Sequence, residues 1–200
     1  MANNNTLSKS INVEYLSTLW MLIEFVVALY SGIMAKSILL IAFGLDSFLE
    51  IIAGSILIWR LKKEANGAAS ETIKKAEKIT SMLVGIILIL LSIYVTITSL
   101  LNLFGHGVAD DSLSGIIIAI LSLLMMPFFI IKKRRYGKIL KSDALIEDSY
   151  CNVTCAYIAG TVLAGMILNA LFGFWWADSV AALILVYFIF TEGLEGIKGE

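Results

Sequence analysis

Residues 37–59 read SILLIAFGLDSFLEIIAGSILIW. A helix crosses a bilayer in about 20 mostly apolar residues, and this stretch is long and apolar enough, yet it carries Asp46 and Glu50. A carboxylate at mid-bilayer costs about 2.5–3.5 kcal/mol on the insertion scale. Two acids spaced i, i+4 share one helix face and repel. Packing gives no reason to keep them, so the pair points to a buried functional site. The plainer alternative is that each is protonated, or hydrogen-bonded to a neighbouring helix, and tolerated.

The rest of the chain has the same character. Of 200 residues, 59% are hydrophobic and 16% charged, against about 25% charged in a typical soluble domain; the mean hydropathy is +0.90. The apolar residues gather into six runs long enough to span: Tyr15–Ala35, Ser37–Trp59, Ile79–Phe104, Leu113–Ile131, Ala144–Phe172 and Trp176–Thr191. The expected fold is an all-α membrane protein of six transmembrane helices. The first two are joined so closely that they must form a tight hairpin. Residues 1–12 read as a polar tail without a secretory signal, followed by a transport domain over 13–198. Arg60–Lys78 and Lys132–Lys141 read as aqueous loops. A single Pro and two Cys exclude a disulfide framework.

Lysine and arginine set the expected orientation. Lys9, the Arg60–Lys78 group, Lys132, Lys133, Arg134, Arg135, Lys138, Lys141 and Lys198 all fall on one side, and Lys36 on the other. Both termini are therefore expected in the cytoplasm, with the protein multi-pass in the cytoplasmic membrane. The basic fourth loop reads as topology signal and lipid contact, not as nucleic-acid binding.

An internal repeat links helices 2 and 5. Ser37, Leu40, Ile41, Asp46 and Glu50 match Ser142, Leu145, Ile146, Cys151 and Cys155 at a constant offset of 105 residues. With the two helices running in opposite directions, the units are inverted, as in many transporters. Asp46 and Cys151 each lie about 14 Å beyond their serine at 1.5 Å per residue, which brings both near the midplane of a core about 30 Å thick. Two cysteines at i, i+4 are poorly placed for a disulfide and on their own read as small packing residues. Their register with Asp46 and Glu50 turns them into ligand candidates. Two carboxylates and two thiolates make four convergent groups, the number a tetrahedral Zn²⁺ site uses.

Other polar residues carry weaker signals. Asp148, three residues before Cys151, reads either as an ion or proton pathway group or as interfacial. Buried Glu24 in helix 1 reads as a pathway group or as hydrogen-bonded to a facing hydroxyl. His106 with Asp110 and Asp111 reads as a solvated outer loop. Asp178 reads as an N-cap of helix 6, Glu192 and Glu195 as acids at the helix end, and Trp20, Trp59, Trp175 and Trp176 as interfacial rings. No nucleotide-binding glycine loop and no Ser-His-Asp set is present, so an enzyme is not expected.

With those residues laid out, the chain resembles the transmembrane domain of the cation diffusion facilitator family. The family's helix 2 pattern, S-x-A-L-L-A-D-x-x-[HD]-S-x-x-D, is similar to Ser37 through Asp46, Ser47 and Glu50. Its helix 5 pattern, S-x-A-L-x-A-D-x-x-H-x-x-x-D, is similar to Ser142 through Asp148, Cys151 and Cys155. Helix 6 matches at Trp176-Ala177-Asp178 and Gly193-Leu194-Glu195. Ile58-Trp59-Arg60 and Gly137-Lys138 look most like the small vesicular zinc-binding transmembrane branch. The resemblance implies a metal site at Asp46, Glu50, Cys151 and Cys155, proton-coupled cation efflux and a homodimer. The departures are two Cys for His and Asp, Glu50 for a shorter Asp, and Phe43 for an acid. No C-terminal cytoplasmic domain is expected.

The expected function is transport of a divalent transition-metal ion, Zn²⁺ or Cd²⁺, as cargo rather than cofactor, in exchange for protons. Thiolate ligands favour these ions over Mg²⁺, Ca²⁺ and Mn²⁺. Two rivals use the same residues: a zinc-binding membrane protein that modulates partners without transport, and a small organic cation transporter with Glu24, Asp46 and Glu50 as counter-charges.

Overall fold

The computed structural model describes residues 2–65, 70–105, 110 and 112–198. They form six helices: α1 (Ala2–Ala35), α2 (Ile38–Ala65), α3 (Ser70–Gly105), α4 (Leu113–Leu140), α5 (Asp143–Phe172) and α6 (Ala177–Lys198). Each contains a stretch long and apolar enough to cross a bilayer. On α1 the large apolar side chains Leu19, Leu22, Val26, Tyr30 and Ile33 recur every three or four residues and are all exposed. Such a stripe is stable against lipid, where apolar surface carries no penalty.

The helices run past the expected spans at both ends. From Ala2 on, the expected tail is instead the first turns of α1. Leu7 and Ile11 hold it there by packing against Leu57, Leu61 and Leu145. Arg60–Lys78 is mostly the end of α2 and the start of α3, with residues 66–69 outside the described ones. Likewise Lys132–Lys141 is not a loop but mostly helix, since α4 continues to Leu140. Lysine and arginine are good helix formers, and three of the basic side chains on α4 find partners on the bundle. Lys133 is fully buried, Lys132 lies over the Phe128 ring, and Arg134 bonds Ser149 at 3.2 Å.

α1 packs on α2 and α4, α4 on α5, and α2 on α5, while α3 pairs with α6 along its flank. The shared core draws on all six helices, with Ala28, Phe43, Leu91, Ala119, Ile158 and Leu185 among its members. Phe43, which departs from the family's acid, is completely buried there. Small residues let the backbones approach. A Cβ on Gly44 would lie 2.8 Å from the Leu29 nitrogen, and one on Gly85 only 2.6 Å from the Gly193 carbonyl.

The repeat is visible in the backbone. Lys36 and Lys141 both adopt a left-handed conformation, at φ 54° and 53°. The following serine nitrogens close the turns, Ser37 onto the Gly32 carbonyl at 2.9 Å and Ser142 onto the Gly137 carbonyl at 3.0 Å. This is the helix-ending motif that usually uses glycine at the left-handed position, and a lysine there costs about 1–2 kcal/mol. The α1–α2 and α4–α5 hairpins are thus built on one turn, and the sequence repeat extends back to Gly32/Gly137 and Lys36/Lys141. With one helix between them, the two hairpins enter the membrane from opposite faces.

Candidate metal centre

Asp46 and Glu50 point from α2 toward α5, where Cys155 meets them. One ligand atom from each of the three lies within 4.8 Å of the other two. The Cys155 thiol donates to Glu50 Oε2 at 3.0 Å. Asp46 is 2% exposed, and its Oδ2 has no hydrogen-bond partner among the described residues. Ser47, beside it, is spent on its own helix, donating to the Phe43 carbonyl at 3.1 Å. Trp20, Met126 and Phe129 pack around Cys155 and form an apolar wall. Trp20, expected as an interfacial ring, is thus half-buried against the bundle, on a face of α1 turned toward α4 and α5.

Bonds of 2.0–2.3 Å to a tetrahedral ion put ligand atoms about 3.3–3.8 Å apart. The Cys155–Glu50 pair already stands at 3.0 Å, and with all three atoms within 4.8 Å the group is compact enough for two oxygens and one sulfur to meet a single ion.

Cys151 does not join this group; it is exposed. At about 100° per residue it lies roughly 20° from Ile158 around α5 and 40° from Cys155, yet both of those are fully buried. The side of the bundle that covers α5 at the level of Cys155 and Ile158 is missing one turn earlier. Glu50 is likewise only half-buried. Along this face of α5, cover is thus complete at Cys155 and Ile158 and incomplete at Cys151.

Glu24 is completely buried, and neither carboxylate oxygen has a partner among the described residues. It sits one turn from Trp20 on α1 but outside the three-residue group. Asp178 caps a helix, though not its own. Its carboxylate accepts from the Ile38 nitrogen at 3.1 Å and the Leu39 nitrogen at 3.5 Å, and from the Ser37 hydroxyl. An acid in the first turn of α6 therefore closes the start of α2. His106 and Asp111 lie outside the described residues; Asp110 is exposed, and its nitrogen donates to the Ala35 carbonyl at 2.8 Å.

Residues 15–199 match the cation efflux transmembrane domain. The chain belongs to the cation efflux family. This membership makes it a cation transporter of the membrane. It is also similar to transmembrane protein 163 of Xenopus laevis, 23% identical over 192 residues, covering 96% of this chain and 67% of that protein.

One feature of this cation efflux domain is not legible in the sequence as a site. Lys133 on α4 bonds Glu14 of α1 at 3.2 Å and also Asp148 of α5. Asp148 is thus paired with a buried lysine. Glu14 precedes the expected first span, and Lys133 stands in a basic run that reads as topology signal. Their spacing along the chain gives no clue, since the three meet only in the folded bundle.

Proposed function

We propose that the chain moves a divalent transition-metal ion, Zn²⁺ or Cd²⁺ by the chemistry of its ligands, out of the cytoplasm in exchange for protons. The observation that carries this reading is the convergence of Asp46, Glu50 and Cys155 within 4.8 Å. Two carboxylates and a thiolate favour borderline and soft ions over Mg²⁺ and Ca²⁺. Three protein ligands leave a fourth position open, which suits a site that must take up and release its cargo. Cys151 stands one turn away on α5, outside this group of three.

Bound metal needs the ligands deprotonated, so binding releases protons and protonation expels the ion. That linkage is sufficient for exchange when the site faces the two sides alternately, and the paired hairpins of opposite direction are the kind of repeat that supports such rocking. Glu24, buried near the site, is the natural proton carrier. The lysine and arginine pattern favours cytoplasmic termini in the cytoplasmic membrane, and the protein acts as a carrier, without catalysis. The homodimer belongs to the same reading.

The test is flux in proteoliposomes with an imposed pH gradient. Zn²⁺ or Cd²⁺ should move against protons, and Asp46→Asn should stop it. Metal binding without flux in the wild-type chain would overturn the transport reading, and flux of an organic cation in its place would overturn the choice of cargo.

A further inference from the structure

The Glu14–Lys133–Asp148 cluster ties together three helices, α1, α4 and α5. Its side chains are 1%, 0% and 16% exposed. Burying three charges is costly unless they satisfy one another, and these do so incompletely. Two carboxyl groups, four oxygens in all, face the single ammonium of Lys133. Glu14 Oε2 is buried and has no partner among the described residues. The cluster thus has more acceptor capacity than a lysine can fill.

Its place in the bundle is informative. A Cβ on Gly54 would lie 3.2 Å from Glu14 Oε1, and Gly54 is one turn beyond Glu50 on α2. Asp148 is seven residues before Cys155 on α5, about 10 Å along the axis. The cluster therefore lies one to two turns from Asp46, Glu50 and Cys155, displaced toward the end of the bundle that carries both termini. Along α5, Cys151 stands between the two levels.

We propose that Glu14 and Asp148 form a second site for the divalent cation, an oxygen-only antechamber whose resting occupant is the Lys133 ammonium. A divalent ion in place of the ammonium would meet both carboxyl groups with two positive charges where the lysine brings one, and would also engage the unpartnered Glu14 Oε2. Lysine is a point charge on a flexible four-carbon stem, so it can withdraw along α4 while remaining tethered to return. Oxygen ligands alone hold Zn²⁺ or Cd²⁺ less firmly than a set that includes a thiolate, so the ion passes from the weaker site to the stronger. The lysine then refills the vacated position and opposes backflow. This inference rests on the transport site proposed above.

The test uses the full chain in detergent or nanodiscs with Cd²⁺ as probe. Binding stoichiometry is measured for wild type, Lys133→Met, and Lys133→Met with Glu14→Gln. Each is repeated with the central site removed by Asp46→Asn and Cys155→Ala. At Cd²⁺ concentrations too low to displace the wild-type ammonium, Lys133→Met should bind one more Cd²⁺ per chain than wild type, also when the central site is absent, and Glu14→Gln should abolish the extra ion. A folded Lys133→Met chain with wild-type stoichiometry at those concentrations overturns the antechamber. Failure of the central site shows instead as a wild-type chain that binds no Cd²⁺ sensitive to Asp46→Asn. Should Lys133→Met not fold, the wild-type chain still decides the matter. Reductive methylation of Lys133 should quicken several-fold under saturating Cd²⁺, and an unchanged rate overturns the proposal.

Discussion

The Cys155 thiol on α5 donates to the Glu50 carboxylate on α2 across 3.0 Å, joining positions 105 residues apart in the chain. The same offset relates the two halves of the repeat, so this contact brings equivalent positions of the two inverted hairpins face to face. Asp46 joins the contact and Cys151 does not. The two thiols should therefore differ. Cys155→Ala should weaken Cd²⁺ binding by about 100-fold, since even supporting residues around metal ligands cost 10–100-fold. Cys151→Ala should stay within about threefold, as for an exposed substitution. Titration calorimetry on the two variants separates them, and equal losses would put Cys151 back among the essential ligands.

Acidity should act on the same contact. To bind metal, Cys155 must lose the proton it now shares with Glu50, so protons and metal compete for one site. Affinity rises with pH and falls with acidification, by about tenfold per unit for each proton released. Cys155→Asp should flatten this slope near neutral pH, because a free carboxylic acid titrates far below a free thiol. Cd²⁺ affinity measured from pH 6 to pH 8 in both chains checks the sign and the difference. An affinity independent of pH would remove the basis for proton exchange.

The site and its scaffold are unequally legible in the sequence. Asp46 and Glu50 announce themselves because a bilayer penalises them, and the repeat carries that signal to Cys155. The turn at Lys36–Ser37 recurs at Lys141–Ser142 with the same backbone, so the repeat holds more than the five positions that match in sequence. Spacing groups Cys151 with the ligands because it gives a helix face and not the depth at which that face is covered. Glu14 and Lys133 are hidden for a different reason. Ion pairing between helices distant in the chain leaves no periodic trace, and a lysine buried on α4 looks the same in sequence as the partly exposed Lys132 beside it. Asp178 reads as a cap, but the helix it caps depends on how α6 lies against α2.

That exchanged cap is testable. Asp178 accepts from the nitrogens of Ile38 and Leu39 at the start of α2, whereas at the equivalent helix start Ser142 makes no side-chain cap hydrogen bond of its own. Asp178→Ala should cost about 1 kcal/mol, the usual loss for a cap. A lower thermal midpoint in detergent is the expected reading. Asp46 lies about 12 Å further along α2 at 1.5 Å per residue, so Cd²⁺ affinity should be unchanged. A matching loss of affinity would show that the cap also positions the site.

The flank of the bundle makes the last prediction. α3 and α6 cross where Gly85 and Gly193 bring backbone against backbone, and a Cβ on Gly85 would meet the Gly193 carbonyl at 2.6 Å. Neither partner is a flexible side chain that can turn away, so Gly85→Ala must push the helices apart. Overpacking of this kind costs about 1–3 kcal/mol. Gly160 on α5 is the control, because its Cβ would meet the Leu123 side chain at an ordinary 3.8 Å. Gly160→Ala should be neutral or stabilising, by up to about 1 kcal/mol from helix propensity. Thermal unfolding of the two variants side by side reads the difference. If Gly85→Ala unfolds no earlier than Gly160→Ala, α3 is not held against α6 by that crossing.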